Sequence, residues 1–464
     1  MPRKLLWGLL LWGCCLRLLA CWSQPQLLSD DADGYVAHAQ SLLQTGRFSG
    51  PWTGRPTAFR PPLLPLFLSF PMAFGMSPAA AVLLTQLLAS LLCVLAGVSL
   101  AGRMNSGLRG SVLIGLAVAM DPLLLRYSMQ PMTETVCAGL LTYGLLLLAD
   151  NERAAVQWRS GLLAGLVFGA GVLLRPVMLI AAVLILLLET AGGLRSTNKA
   201  MAADKLPPAV LVSRSPWTWF LAGLLLVVTP WILRNRIVLG SWVVATTHGG
   251  YTLALGNNPD FYRDVIRSGR GMPWDGQALD IWQQRSLEQA AAAGIDVGDE
   301  VSLDGWYYGQ AVEAIQSDPG SFCAACLLRM QRFWALSSAT SDGWSAIIPG
   351  TWYLMLWAGL LLQLSSGRWR EQIPRWCWLC VVAFCLLHLV YWTDTRMRAP
   401  LTPLLILLSA DGYRWCRGWF RSAAVTDRQS EPLDPDAPRP VRQESVPSLP
   451  LRQQPDDLPT DRNM

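Results

Sequence analysis

Long apolar runs, separated by short polar stretches, dominate the sequence. A run of about 20 apolar residues is long enough to cross a bilayer as a helix. We predict about ten spanning segments, at residues 5–23, 77–101, 109–128, 131–149, 159–174, 176–191, 216–235, 344–364, 374–393 and 399–415. The pattern therefore predicts an all-α polytopic membrane protein.

The composition supports this prediction and excludes two other classes. The chain has 464 residues, of which 52% are hydrophobic and 15% charged, and its mean hydropathy is +0.32. Such a chain is too apolar for an ordinary soluble protein, and many of its 22 tryptophans lie at the ends of the apolar runs, where the membrane interface favours them. A net charge of +5 is too small to indicate a nucleic-acid partner.

The basic residues of the short loops predict the orientation. Nine of them would lie on the N-terminal side of the membrane: Arg103, Arg109, Arg153, Arg159, Lys199, Lys205, Arg368, Arg370 and Arg375. The positive-inside rule makes that side cytoplasmic, with both termini on it. We thus predict a multi-pass protein of a bacterial inner (plasma) membrane, with two large outer loops at residues 24–76 and 236–343.

Residues 421–464 differ in composition from the rest of the chain. They are rich in Pro, Asp, Glu, Arg, Gln and Ser and have few large apolar residues. Such a segment buries too little apolar surface to fold, so we predict a disordered cytoplasmic tail. Residues 1–420 would then form the membrane-embedded domain.

Each outer loop has a predictable substructure. In the first we predict a helix at 35–45 and, because of its prolines, an interfacial segment rather than a spanning helix at 61–75. In the second we predict a helix at 305–316 and an amphipathic segment at 318–334, on which Arg329 and Arg332 share a face. These two arginines would either contact substrate or extend from an interfacial helix towards water.

Charged residues converge on the predicted outer face. The acidic run Asp30, Asp31 and Asp33 opens the first outer loop, and six further charged residues reach the same boundary: Glu134, Arg175, Arg234, Arg236, Arg396 and Arg398. A single arginine at a helix end has a structural explanation, but arginine clusters hold phosphate and an ionised Asp accepts a proton from a hydroxyl. If the leaving group is a lipid phosphate, this pattern would suit transfer of a sugar from a polyprenyl phosphate to an acceptor hydroxyl.

Several short motifs occur in a characteristic order. In the first outer loop Asp31 stands four residues before Tyr35 and is followed by Ala39, Leu42, Gly46, Arg60, Pro61, Pro62 and Pro65. Later matches are Pro122, Tyr127, Ser128, Thr133, Glu134, Arg175, Pro176, Pro230, Trp231, Arg234, Asn235, the stretch from Gly249 to Pro259, Arg396, Arg398, Pro400 and Pro403. This order resembles the GT-C superfamily, specifically protein mannosyltransferases that use dolichyl-phosphate mannose and bacterial lipid A aminoarabinose transferases.

The resemblance implies a GT-C-like bundle and a glycosyltransferase with Asp31 as catalytic base. Two positions depart from the family pattern, because Ala32 replaces a second acid and Met397 replaces an aromatic residue. The expected reaction is an inverting direct displacement in which nearby arginines keep the pKa of Asp31 low. Arg396 and Arg398 would hold the donor phosphate, with Arg234 behind them. The other expected substrate-binding residues are Asp30, Asp33, Tyr35, Arg60, Glu134 and Arg175.

The metal and cysteine motifs change this picture little. His248 in the second outer loop is a candidate ligand, but a single His rarely suffices, so we predict no metal site and leave the help of a divalent cation open. The pairs Cys323 with Cys326 and Cys377 with Cys380 have the spacing of one helical turn and indicate packing, with a disulfide between Cys323 and Cys326 left open.

Two alternatives to this glycosyltransferase remain. One is a non-enzymatic carrier or flippase of lipid-linked sugars, whose arginines would also hold phosphate. The other is a polymerase or ligase of oligosaccharide units. The expected partners are a polyprenyl-phosphate sugar donor, a lipid, glycan or protein acceptor, and the bilayer, and neither the sugar (hexose or pentose) nor the acceptor follows from the sequence.

Overall fold

The computed structural model describes residues 1–150, 157–201, 215–268, 274, 276–338 and 341–430. Helices form most of this part of the chain. The helices of the bundle are α1 (Arg3–Ser23), α4 (Pro78–Arg103), α5 (Gly107–Met120), α6 (Pro122–Tyr127), α7 (Glu134–Asp150), α8 (Gln157–Val172), α9 (Val177–Met201), α10 (Pro216–Leu239), α15 (Gly343–Ser365), α16 (Gln372–Val390) and α17 (Thr402–Ser430). The predicted all-α architecture is confirmed.

In the described part of the two large loops, six α-helices have eight or more residues. They are α2 (Tyr35–Thr45) and α3 (Leu63–Ala73) in the first loop, and α11 (Gly249–Gly256), α12 (Gln277–Ala292), α13 (Glu300–Ser317) and α14 (Pro319–Trp334) in the second. The helix predicted at 35–45 has the predicted bounds, whereas the helix predicted at 305–316 begins earlier, because Asp299 caps it by accepting a hydrogen bond from the Val301 N–H.

Each predicted span contains a helix. Among the described residues, five helices are long and apolar enough to cross a membrane: Arg3–Ser23, Pro78–Arg103, Pro216–Leu239, Gly343–Ser365 and Gln372–Val390. The predicted span 109–128 is interrupted after Met120, where Pro122 begins the short helix α6 and the Asp121 carboxylate accepts the Leu124 N–H at 3.0 Å. Two helices therefore replace the single one that we expected there.

The Pro-rich segment forms an 11-residue helix, Leu63–Ala73. At 1.5 Å per residue it is about 16 Å long, which is about half the thickness of a hydrocarbon core. The helix is thus too short to span, as the sequence predicted. Three of its eleven residues, Leu66, Phe67 and Phe70, expose large apolar side chains. The N–H of Leu63 is bonded to the carbonyl of Leu173 at 3.1 Å.

Glycines let helices α8 and α10 approach closely. A Cβ added at Gly161 would lie 2.2 Å from the carbonyl oxygen of Pro216, and one at Gly165 would lie 2.0 Å from that of Phe220. The two glycines are four residues apart and share a helix face, an arrangement that is common where membrane helices touch. Any larger residue at Gly165 would push the helices apart.

The two large loops contact one another at the same end of the bundle, which we call the loop face. Arg55 of the first loop donates to the carbonyl of Gly298 in the second at 3.3 Å. Buried apolar residues of the second loop form a cluster of their own, which includes Phe261, Tyr262, Trp282 and Tyr307. The loop face is therefore a packed layer.

The chain divides by its internal contacts into Met1–Cys416 and Arg417–Met464. Helix α17 continues to Ser430, so it includes the first ten residues of the predicted tail. Residues 431–464 lie outside the described part of the chain, and the disordered tail stays a prediction.

Candidate active site

Five of the predicted site residues meet at the loop face, and we call them the charged cluster: Asp33, Arg60, Glu134, Arg175 and Arg396. The Asp33 carboxylate lies 3.0 Å from Nη2 of Arg60 and 2.6 Å from Nη2 of Arg396. The Glu134 carboxylate is paired with Nε of Arg396 and lies 3.0 Å from Nη1 of Arg175. Arg396 thus joins the two carboxylates.

Each member of the charged cluster is placed by a local feature of the backbone. Glu134 is the first residue of helix α7, where a negative charge is favoured by the helix dipole. Arg175 immediately precedes Pro176, in the turn between helices α8 and α9. Arg396 lies in a 3-10 helix, Thr395–Leu401, which begins where the Asp394 carboxylate accepts the Arg396 N–H at 2.8 Å.

Within the charged cluster three arginines face two carboxylates, and a third carboxylate, that of Asp394, lies beside Arg396. Burial alone would raise the pKa of Asp33, but the charges of Arg396 and Arg60 outweigh this effect and lower the pKa below its usual value of 3.8. Glu134 is fully buried, while the Arg396 side chain is 22% exposed. Asp33 and Arg60 are exposed to a similar extent, 19% and 18%, so this part of the cluster is partly accessible.

Two arginines of the cluster direct N–H groups at methionine sulfurs. Nη2 of Arg175 lies 3.1 Å from Sδ of Met397, and Nη2 of Arg396 lies 3.1 Å from Sδ of Met132. A thioether is a weak hydrogen-bond acceptor. A phosphate oxygen would accept these N–H groups far more strongly.

Asp31 has a different environment from Asp33. Its two carboxylate oxygens accept the backbone N–H groups of Val36 at 3.1 Å and Ala37 at 2.9 Å, so Asp31 caps helix α2. Gly34, at φ +74°, makes the intervening turn possible. Burial raises the pKa of Asp31, and the hydrogen bonds from Ala37 and Val36 offset only part of that rise.

This environment corrects the expectation that arginines hold the pKa of Asp31 low. The arginines contact Asp33 and Glu134 instead, because the turn at Gly34 directs the Asp33 side chain towards them. Asp31 remains half-buried two residues away.

Arg398 and Arg234 lie outside the charged cluster. Arg398 is fully buried and donates to the carbonyls of Phe333 at 2.6 Å and Ala335 at 2.5 Å. Arg234 donates to the carbonyls of Thr57 at 2.7 Å and Phe48 at 2.6 Å. The structure therefore does not bring these two arginines into the charged cluster, and Nη1 of Arg398 and both Nη atoms of Arg234 donate to backbone carbonyls.

Two further predicted residues flank the cluster. Tyr35 is buried, and the Arg60 guanidinium lies 5.9 Å from the centre of its ring, so Tyr35 supports Arg60 by a cation–π contact. Asp30 is exposed at the end of a short 3-10 helix, Pro25–Ser29. It lies at the edge of the acidic run rather than in the charged cluster.

His248 is packed between aromatic rings. Its ring lies 4.4 Å from that of Phe59 and 5.0 Å from that of Tyr251. Burial lowers its pKa to about 3, so the imidazole is neutral at physiological pH. The described residues contain no group of three or more His, Cys, Asp or Glu side chains that could hold a metal ion.

The cysteine pairs are unbonded. Cys377 and Cys380 are buried in the bundle, where they pack as small apolar residues. Cys323 is exposed and Cys326 half-buried, and both are free thiols.

Sequence reasoning missed Glu300 and Asp394. The Glu300 carboxylate, at the start of helix α13, accepts the Thr57 hydroxyl at 2.5 Å and the Ala58 N–H at 2.6 Å. It thereby fixes the backbone just before Arg60. Asp394 could have been found from its position two residues before Arg396, whereas nothing in the sequence around Glu300 marks it as a contact between the loops.

Comparison with solved structures shows the fold. The archaeal oligosaccharyltransferase AglB from Archaeoglobus fulgidus, in complex with an inhibitory peptide and a dolichol-phosphate, is similar with a TM-score of 0.51 and 15% identity over 93% of this chain and 52% of that chain. The Archaeoglobus fulgidus oligosaccharyltransferase in complex with Zn and sulfate is similar with a TM-score of 0.51 and 14% identity over 92% of this chain and 51% of that chain.

A third structure is similar at a lower level. ArnT from Cupriavidus metallidurans, bound to undecaprenyl phosphate, has a TM-score of 0.37 and 13% identity over 87% of this chain and 76% of that chain, which is too low to support an argument. No family model matches the chain, and no curated protein matches it. The chain spans about half the length of the archaeal oligosaccharyltransferase chains and shares their fold.

Proposed function

We propose that this chain transfers a sugar from a polyprenyl-phosphate donor to an acceptor hydroxyl at the outer face of the membrane. The observation that carries the proposal is the charged cluster, in which Arg175 and Arg396 each direct an N–H group at a weak sulfur acceptor. The dolichol-phosphate in the AglB complex is consistent with a lipid phosphate as the donor's leaving group.

The charged cluster would act on the leaving group. Arg175 and Arg396 would replace their contacts with Met397 and Met132 by hydrogen bonds to phosphate oxygens. As the bond between the anomeric carbon and the phosphate oxygen breaks, its electron pair leaves with the phosphate. Positive charge held in place beside that oxygen stabilises the transition state.

Asp31 would act on the acceptor. The acceptor oxygen forms a bond to the anomeric carbon on the face opposite the phosphate, and its proton passes to the Asp31 carboxylate. Because burial raises the pKa of Asp31, this carboxylate binds a proton more readily than Asp33 does. Direct displacement of this kind inverts the anomeric carbon. The outer location follows the predicted orientation, with both termini cytoplasmic.

The test supplies membranes containing the protein with labelled polyprenyl-phosphate sugars and candidate acceptors. We expect the wild type to transfer label, and Asp31→Asn to lower the rate about 100-fold to 10,000-fold, since an amide cannot accept the proton. Asp280→Asn, at an exposed position in helix α12, is the matched control and should retain the wild-type rate.

Two outcomes would contradict the proposal in different ways. Normal transfer by a correctly inserted Asp31→Asn protein would remove Asp31 as the base. Movement of the labelled donor across the bilayer, without transfer to any acceptor, would identify a carrier or flippase instead.

A further inference from the structure

Trp52 is a highly exposed aromatic residue next to the acidic run. It lies in a tight turn whose two ends, Ser49 and Pro56, pair through a β-bridge. Its side chain is 77% exposed. The turn is closed by a hydrogen bond from the Gly50 N–H to the Arg55 carbonyl at 2.8 Å. The indole is thus held on a defined support while most of its surface stays uncovered.

The ring of Trp52 contacts the backbone of the acidic run. A Cβ added at Gly34 would lie 2.9 Å from Cη2 of Trp52, so the ring edge occupies the space that a side chain at this position would need. The ring of His38 lies 6.4 Å away, approximately perpendicular to the indole. Trp52 therefore borders the turn that carries both Asp31 and Asp33.

The surroundings of Trp52 belong to the polar part of the loop face. The turn is tied by Arg55 to Gly298, which lies between helices α12 and α13. Thr53 and Arg55 of the same turn are polar and exposed. This neighbourhood favours contact with an aqueous ligand rather than with lipid.

We propose that Trp52 is a stacking platform for a pyranose ring of the acceptor, which makes the acceptor a glycan. This inference rests on the proposed function. One face of a pyranose presents C–H groups that pack on an indole, while its hydroxyls point outwards as donors. The turn that the ring borders is closed by a hydrogen bond from the Gly34 N–H to the Asp31 carbonyl at 2.9 Å, and the Asp31 carboxylate could accept such a hydroxyl. A sugar stacked on Trp52 places a hydroxyl next to the proposed base.

The experiment measures binding of simple sugars to the purified protein without donor. The probes are methyl glucoside, methyl mannoside, methyl galactoside and methyl arabinoside and the corresponding disaccharides, observed by saturation-transfer NMR. We expect at least one probe to bind the wild type through its ring C–H protons, and Trp52→Ala to weaken that binding about tenfold, the loss expected for one stacking contact. Trp52→Phe should retain part of the affinity.

Trp242→Ala is the matched control, because Trp242 is also a highly exposed tryptophan (67%) but packs on Arg236 at the end of helix α10. It should bind the probes as the wild type does. Equal binding by Trp52→Ala and wild type, with unchanged unfolding temperatures, would overturn the inference. So would the absence of binding of any probe to the wild type.

The outcome is separable from that of the proposed function. Glycoside binding that depends on Trp52 stands even when no sugar transfer is found, in which case the proposed function alone fails. Transfer to a peptide or a lipid acceptor that is unaffected by Trp52→Ala would overturn the glycan inference and leave the proposed function intact.

Discussion

Arg396 and Arg398 are two residues apart on one 3-10 helix, yet they lie in opposite kinds of environment. Arg396 faces two carboxylates at the partly open charged cluster. Arg398 is fully buried, donates to two backbone carbonyls and lies with its guanidinium 4.2 Å from the centre of the Tyr353 ring. The two guanidinium groups of this 3-10 helix thus contact different kinds of acceptor, carboxylates for Arg396 and backbone carbonyls for Arg398.

The same distinction applies to two carboxylates of the acidic run. Asp33 is paired with Arg60 and Arg396 and is therefore held ionised, whereas Asp31 caps helix α2 and makes no such pair. A carboxylate that neutralises arginines is a poor base. One that accepts only backbone N–H groups retains more of its affinity for a proton.

The largest effect that we expect is a difference in the free energy of unfolding between variants of Arg398 and of Arg396. Arg398→Met leaves the carbonyls of Phe333 and Ala335 buried without donors and should lower the free energy of unfolding by about 3–5 kcal/mol, since each lost bond to a charged donor costs about 1.5–3 kcal/mol. In Arg396→Met the effect should be smaller, because Asp33 keeps Arg60 and Glu134 keeps Arg175.

The measurement is the unfolding transition of each purified variant in detergent. Arg126→Met serves as the control, since Arg126 is exposed at the end of helix α6. If Arg398→Met unfolded at the wild-type temperature, or if Arg396→Met were the less stable variant, the contrast between the two environments would be lost.

A smaller expected effect, on the pH dependence of transfer and of stability, distinguishes Asp31 from Asp33. Asp31 must be ionised to act as base, so transfer should fall as pH decreases through its pKa, which lies above the usual value of 3.8. The pKa of Asp33 is lowered in the folded protein, so its ion pairs stabilise the fold above pH 3.8. This stabilisation is lost only when the pH falls through the lower pKa of the folded state. Transfer should therefore decline on acidification before the protein loses stability.

The check is a pH profile of the transfer rate recorded with the unfolding temperature of the same samples. A rate that stayed constant down to pH 3.8, or that declined only together with the unfolding temperature, would contradict the assigned roles of Asp31 and Asp33.

Much of the fold followed from sequence patterns. The length of the apolar runs predicted where the bundle helices lie, and the partial apolar face ending at Gly46 predicted helix α2 with its observed bounds. The topology also predicted that Asp33, Glu134 and Arg396 would share one face, although more than 200 residues separate Glu134 from Arg396. These features depend on hydrophobic length and on loop charge, both of which are readable along the chain.

The division of roles within the site did not follow from the sequence. A 3-10 helix has about three residues per turn, so positions two apart point in different directions, and this geometry separates Arg396 from Arg398. Likewise the left-handed turn at Gly34 decides that Asp33 and not Asp31 meets the arginines. Both are details of backbone direction over two or three residues, which hydrophobic patterning does not encode.

The most direct test of the central claim is the affinity of the purified protein for labelled polyprenyl phosphate, with the uncharged polyprenol as reference. We predict that the wild type prefers the phosphate, that Arg175→Gln and Arg396→Gln each weaken its binding about tenfold or more, and that Arg126→Gln does not. Polyprenol binding should be the same in all four proteins. Equal affinity of the wild type for phosphate and alcohol, or undiminished phosphate binding by both cluster variants, would contradict the assignment of the charged cluster as the donor site.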